Sequence, residues 1–268
     1  MSRLDVKSRE YKVMLLPEPF AGGDDDIRRA GVRFWADVRT ALEPIDIPTE
    51  GSFDEVKARR RIRFLDSVEH VFNSQRYVFR ERIDVESSDR EVTLKYRHPD
   101  RYVASDRDMR AAQTSNAETK FEEDVKPPFV SVFSYSTTVE VDADVDVTRL
   151  SQVLDMFPGL EDELADLDDC DLTDVDSFCA REVVLVGATL LLGKRDAEAE
   201  CALVVWHDDG KDDTTPVCVE FSFKYGDDEE DYRGSVARDA HDVLKVLHEQ
   251  LPDWVHAEPR TKTALVYG

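Results

Sequence analysis

Between residues 77 and 97 the chain reads Tyr77-Val78-Phe79-Arg80-Glu81-Arg82-Ile83-Asp84 and then, after the turn residues Ser87-Ser88-Asp89, Glu91-Val92-Thr93-Leu94-Lys95-Tyr96-Arg97. Side chains alternate across a strand, so residues two apart share a face. Val92, Leu94 and Tyr96 therefore lie on one side of the second segment, and Glu91, Thr93, Lys95 and Arg97 on the other. Arg80 and Arg82 share a face in the first segment, and the turn makes the two a hairpin.

The same two-sided pattern recurs outward from this hairpin. Near the start, Ser8, Glu10 and Lys12 oppose Tyr11, Val13 and Leu15. Near the end, Glu220, Ser222 and Lys224 oppose Val219, Phe221, Phe223 and Tyr225, and in the middle Glu118, Lys120 and Glu122 share one face. Alternation alone leaves two arrangements open. One is a half-buried sheet with its polar face in water. The other is a closed barrel, its apolar outside covered by helices and its charged face turned inward. Such a lumen gathers Lys and Arg beside Glu, which suits a multiply charged anion together with a divalent metal.

The remaining pattern is β-rich. Strands are expected at 9–16, 58–67, 77–85, 91–98, 118–124, 129–141, 181–192, 200–207 and 217–225, with a short last strand at 261–266. Helices are expected at 27–42, behind the acidic cluster ending at Asp26 and stopped by Pro44, at 149–157 behind Thr148, and from Ser235 to Leu251. Residues 100–117 and 158–177 are polar or acidic and are expected to be loops.

The totals exclude several classes. A formal charge of −24 on 268 residues argues against non-specific binding to nucleic acid or anionic membranes, which are themselves polyanions. It does not forbid a local basic pocket. The four cysteines, Cys170, Cys179, Cys201 and Cys218, have no zinc-ligand spacing and are expected as reduced thiols. Residues 1–10 lack the apolar run of a signal segment, and no run reaches the length of a membrane span, so the expected location is the cytoplasm. No G-x-S-x-G, Walker A or G-x-G-x-x-G motif is present. The stripe His241, Lys245 and His248 on the last helix reads as a solvated face.

In order and spacing, several short pieces resemble the CYTH, or triphosphate tunnel, superfamily. Glu10-Tyr11-Lys12 is similar to the second half of its opening E-x-E-x-K. Arg63-Phe64-Leu65-Asp66-Ser67 resembles its Y-x-D-T step, Tyr77 to Arg82 its L-R-x-R strand, and Val92-Thr93-Leu94-Lys95 its L-T-L-K strand. Trp206-His207-Asp208-Asp209-Gly210 resembles its D-x-G turn, Val219-Glu220-Phe221-Ser222 its closing E-x-E strand, and Thr261-Lys262-Thr263 its S-K-x ending.

The resemblance spans nearly the whole chain and implies one α+β domain over residues 1–268. Its core would be a closed antiparallel eight-stranded β-barrel, a tunnel with helices packed outside. It implies binding and hydrolysis of a triphosphate-containing or other organophosphate small molecule, with Mg²⁺ or Mn²⁺ as cofactor. Carried over residue by residue, Lys12, Arg80, Arg82, Lys95 and Lys262 become phosphate clamps, with Arg181 and Lys224 as weaker additions. Glu10, Glu118, Glu122, Asp208 and Glu220 become metal ligands, and Glu10 joins Lys12, Arg80, Arg82 and Lys95 in the catalytic set. Two positions depart from the pattern: Ser8 and Ser222 stand where the family carries glutamates, and a hydroxyl is a weak Mg²⁺ ligand. A non-catalytic module that binds a phosphorylated metabolite is therefore the alternative, with an acidic protein-interaction domain as a third reading.

Overall fold

A computed structural model of the chain describes residues 4–164, 167–211, 214–257 and 261–268. Nine strands run in chain order: β1 (Ser8–Leu15), β2 (Thr49–Asp66), β3 (Tyr77–Asp84), β4 (Arg90–His98), β5 (Ala117–Lys126), β6 (Val130–Glu140), β7 (Thr173–Leu192), β8 (Ala197–Asp208) and β9 (Cys218–Gly226). They close into a barrel in the order β1-β5-β6-β4-β3-β2-β7-β8-β9, with β9 pairing back onto β1. The ring thus has nine strands where eight are expected. All its pairs are antiparallel except β1 with β5, which run parallel with Glu10 opposite Asp124.

The helices are α1 (Asp24–Leu42), α2 (Val71–Ser74), α3 (Arg101–Ser105), α4 (Leu150–Met156), α5 (Glu161–Leu164), α6 (Gly234–Gln250) and α7 (Lys262–Tyr267). Asp24, Asp25 and Asp26 occupy the first turn of α1, where the unpaired N–H groups and the helix dipole favour negative charge. The buried stripe Ile27, Ala30, Phe34, Trp35, Val38 and Leu42 lies on the barrel's outer wall. There Phe34 meets Phe221 edge-on at 5.2 Å between ring centroids, and Tyr11 stacks on Phe223 at 4.8 Å. α6 adds Val236, Ala240, Val243, Leu244 and Leu247 to the same core. A second outer core joins Tyr77, Phe79, Val92, Leu94 and Tyr96 to Leu150 and Val153 of α4. The apolar face of each of these strands thus points outward under helices, and the charged face points into the ring.

β2 and β7 are much longer than the segments expected for them, and their register shifts at three places. At one of these Gly51 (φ 67°), paired with Ala188, lies against Gly187 (φ 105°), and a Cβ on Gly51 would lie 1.8 Å from the Gly187 carbonyl oxygen. The strand start at Thr173 was hidden in an acidic stretch with no clean alternation.

Three other expectations are corrected. The stretch 100–117 holds α3, capped by Asp100, whose carboxylate accepts from the backbone N–H groups of Tyr102 and Val103. The stretch 158–177 holds α5 and the first residues of β7; its residues 165–166 lie outside the described residues. The last element is a helix rather than a strand. Thr261 caps α7 by accepting from Ala264 N at 3.1 Å, and Val266 packs inside the barrel mouth instead of joining its sheet. Among the described residues no helix is long and apolar enough to cross a membrane.

Candidate functional site

The inward alternation places Glu10 and Lys12 of β1, Arg80 and Arg82 of β3, Glu91, Thr93, Lys95 and Arg97 of β4, and Glu122 and Asp124 of β5 in one lumen. β7 adds Glu182, and β9 adds Glu220, Ser222 and Lys224. Lys12 Nζ sits between two carboxylates, 2.9 Å from Glu10 Oε2 and 2.8 Å from Asp124 Oδ1. Asp124 also faces Arg97 Nε at 3.6 Å and Lys95 Nζ at 3.8 Å. It is the hub of the cluster, yet the motifs did not point to it. The available signal was its place two residues after Glu122, on the same strand face.

Charge in this enclosure shifts the ionisations. Burial pushes the carboxyls of Glu10 and Asp124 up, but the neighbouring cations outweigh it and hold both below the usual carboxylate range. Burial pulls Lys12 down, and Asp124, Glu10 and Glu220 overcome that, leaving it above its ordinary value. Lys95 is less well compensated: burial lowers it to about 8, with Arg97 and Lys12 adding to the fall and Asp124 opposing it. Arg80 is compensated least. Burial and then Arg82 hold it well below the usual guanidinium range, and among the described residues its Nε has no hydrogen-bond partner. Its Nη2 donates a long hydrogen bond to Thr93 Oγ1 at 3.5 Å. Arg82 pairs with Glu91 at 3.0 Å.

At one end the lumen opens into a cavity of about 470 Å³. Lys12, Arg97, Asp124 and Glu220 line it, α7 contributes Lys262, Thr263 and Tyr267, and Arg76, Lys126 and His248 also border it. Its side chains include five from Lys and Arg (Lys12, Arg76, Arg97, Lys126, Lys262) against two from Asp and Glu (Asp124, Glu220). The local sign is opposite to that of the whole chain. Val78, Met14 and Val132 supply an apolar wall. Tyr267 donates to Asp66 Oδ2 at 3.2 Å and Lys262 Nζ reaches Glu220 Oε1 at 2.7 Å, so α7 is tied across this mouth. Arg80, Arg82 and Lys95 do not line the cavity and stand deeper in the lumen. Ile62, Phe64, Val78, Trp206 and Cys218 form an apolar cluster inside the ring with Val266, which the charge pattern did not foretell.

Of the expected site residues, Lys12, Lys262 and Glu220 line this mouth, Glu10 and Lys95 stand behind them around Lys12 and Asp124, and Arg80 and Arg82 also lie off the cavity. Lys224 and Glu122 face each other at 3.9 Å, and Glu122 accepts from Ser8 Oγ at 2.7 Å. Three others do not join. Arg181 shares the outward face of β7 with Val183 and Leu185 and is exposed. Asp208 holds the turn after β8 by accepting from Gly210 N and pairing with Lys211. Glu118 pairs with Lys120 at the exposed start of β5. On α6, His241, Lys245 and His248 are exposed, as expected of a solvated face; His241 also packs edge-on against Phe129 at 4.7 Å, and His248 stands at the rim of the cavity.

The divalent metal that the resemblance implies does not fit these acids as they stand. Glu10 and Asp124 share an ammonium, Glu220 holds Lys262, and Glu122 holds the Ser8 hydroxyl. Ser222 occupies the remaining carboxylate position beside Lys12, its partner in the β1–β9 register. Among the described residues no group of three potential ligands is gathered for a metal.

No protein-family model matches the chain, and no curated protein matches it. Solved structures do. A protein from Hippeastrum, described as a candidate adenylyl cyclase with a dominant triphosphatase activity, aligns over 97% of this chain and 95% of its own at 14% identity and a TM-score of 0.48. A candidate adenylate cyclase from Vibrio parahaemolyticus aligns over 98% and 99% at 9% identity and 0.38. Another from Bacillus halodurans aligns over 91% of each chain at 10% identity and 0.39. The chain aligns over nearly all its length with these three structures, and its nine strands form a ring around an inward-facing charged lumen.

Proposed function

We propose that the α7 mouth of the barrel binds a small molecule carrying a triphosphate. The observation that carries this reading is the reversal of sign: five basic side chains against two acidic ones around one cavity, in a chain of net charge −24. A polyanion entering there meets Lys12, Arg97 and Lys262 directly, with Lys95 and Arg80 behind them. Charge-assisted hydrogen bonds to phosphate oxygens are roughly twice as strong as neutral ones, and low-dielectric walls strengthen them further. The apolar wall of Val78, Met14 and Val132 offers contact to an organic group attached to the phosphates.

Turnover is the second reading, and the carboxylates of Glu10 and Glu220 beside the phosphate-facing lysines favour it. Once phosphate draws Lys12 away, Glu10 is free to accept a proton from a water attacking the terminal phosphorus, the P–O–P bond breaking to release orthophosphate. Binding without turnover is favoured instead by Ser8 and Ser222 at two carboxylate positions. Thermal shift with tripolyphosphate against equal ionic strength of sulfate tests binding, and phosphate release from tripolyphosphate and nucleoside triphosphates tests turnover. A selective rise in melting temperature is expected. Equal response to both salts would remove the binding reading, and absence of release from any of these substrates would leave the non-catalytic one.

A further inference from the structure

The acids of this lumen are already provided with cations. Lys12 Nζ lies within 2.9 Å of Glu10 Oε2 and 2.8 Å of Asp124 Oδ1, bracketed by two carboxylates on strands that pair in parallel. A hard divalent cation needs about six oxygen ligands, and Mg²⁺ needs them near ideal octahedral geometry. To bind here it must expel a half-buried ammonium from two ion pairs. In return it gains few further oxygens: Ser8 donates its hydroxyl to Glu122, Glu220 is engaged by Lys262, and Ser222 brings no charge.

We infer that the Lys12 ammonium fills the place of a divalent cation between Glu10 and Asp124, so that the barrel takes up its polyanion without metal. The polyanion half deepens the triphosphate reading and rests on it; the metal half stands on Glu10, Lys12 and Asp124 alone. In the ligand-free barrel Lys12 neutralises the two acids. Phosphate then competes with them for the same ammonium, with Arg97 and Lys95 close behind Asp124. A serine for glutamate at positions 8 and 222 follows the same logic, because a site held by one ammonium does not require the extra carboxylates that a dication does.

The test begins with Mn²⁺ alone, titrated into the whole protein and followed by electron paramagnetic resonance of free Mn²⁺, with no phosphate present. The wild-type protein is expected to leave the signal unchanged up to about 1 mM, the weak end of protein sites for divalent cations. Lys12→Gln, which vacates the space between Glu10 and Asp124, is expected to gain a saturable site at least about tenfold tighter. Tripolyphosphate is expected to bind the wild type equally in EDTA and in excess Mg²⁺ after correction for the Mg²⁺-complexed fraction. Saturable Mn²⁺ binding by the wild type that Glu10→Gln weakens would overturn the inference. So would a folded Lys12→Gln that gains no site. If Lys12→Gln does not fold, the wild-type titration decides on its own. Failure of tripolyphosphate to bind in either buffer counts against the phosphate reading instead, while the Mn²⁺ arm still decides whether Lys12 excludes metal.

Discussion

Lys12 on β1 and Asp124 on β5 meet at 2.8 Å across the only parallel pair of strands in the described barrel, joining residues 112 apart in sequence. Asp124 is buried and also faces Lys95 and Arg97, so three half-buried cations share one carboxylate. Breaking a buried ion pair by removing one partner costs about 3–5 kcal/mol, because the other charge is left uncompensated. Asp124→Asn is therefore expected to lower the melting temperature sharply in the absence of ligand. Tripolyphosphate is expected to raise the variant's melting temperature by more than it raises the wild type's, because added anion replaces the lost carboxylate. Differential scanning fluorimetry with and without tripolyphosphate checks both; an equal ligand response in the two proteins would count against the shared-cation account.

Arg80 gives the opposite pattern. Its Nε is buried with no partner among the described residues, and Arg82 repels it. Leaving such a group unpaired costs free energy in the empty barrel. Arg80→Met is expected to leave the ligand-free protein as stable as the wild type or more so, while weakening tripolyphosphate binding by about tenfold, the worth of one hydrogen bond to a charged group. Urea unfolding and calorimetry together read the two signs.

Lys95 makes binding pH-dependent. Burial lowers it to about 8, whereas bound phosphate favours its charged form. Above pH 8 binding must then take up a proton, so affinity is expected to fall as pH rises from 7 to 10. Lys95→Arg stays charged throughout and is expected to flatten that profile. The same shift acts on folding with a definite sign. The folded value lies below the unfolded value of about 10.4, so in this window the unfolded chain holds more protons. This group's contribution to the stability of the empty barrel therefore increases as pH rises from about 8 to 10. Calorimetry across pH in two buffers of different ionisation enthalpy measures the proton uptake directly.

Outside the lumen, stability and binding are expected to separate. Phe34 is fully buried between α1 and the outer wall against Phe221. Phe34→Ala is expected to cost about 3–5 kcal/mol in chemical unfolding, the usual loss for a buried aromatic, with tripolyphosphate affinity unchanged below the unfolding transition.

Much of the barrel was legible because its strands alternate strictly. Val92, Leu94 and Tyr96 against Thr93, Lys95 and Arg97 fix two faces, and Phe34 with Val38 on α1 supplies the cover for one of them. The added strand length was not legible. Gly51 and the bulges near Glu55 and Ala58 break the alternation of β2, and the acidic run before Phe178 hides the start of β7. Thr261 to Val266 looks like a strand by its β-branched residues, but a capping threonine and an apolar contact inside the mouth make it a helix. In the site, motif matching found Lys12 and Lys95 and passed over Asp124, because matching short patterns says nothing of which acid a parallel seam will bring opposite Glu10. Asp208 falls within the D-x-G match, yet a turn decides where it points, and Arg181, a weaker addition, lies on an outward face.

The central claim is that this mouth is a polyanion site, and Arg97 tests it most directly because it lines the cavity and has only a 3.6 Å approach to its acid. Isothermal calorimetry of tripolyphosphate is expected to give a saturable one-to-one isotherm with the wild type. With Arg97→Gln the affinity is expected to drop at least about tenfold, the melting temperature being held near the wild-type value. No saturable binding by the wild type, or equal affinity in the folded variant, would contradict it.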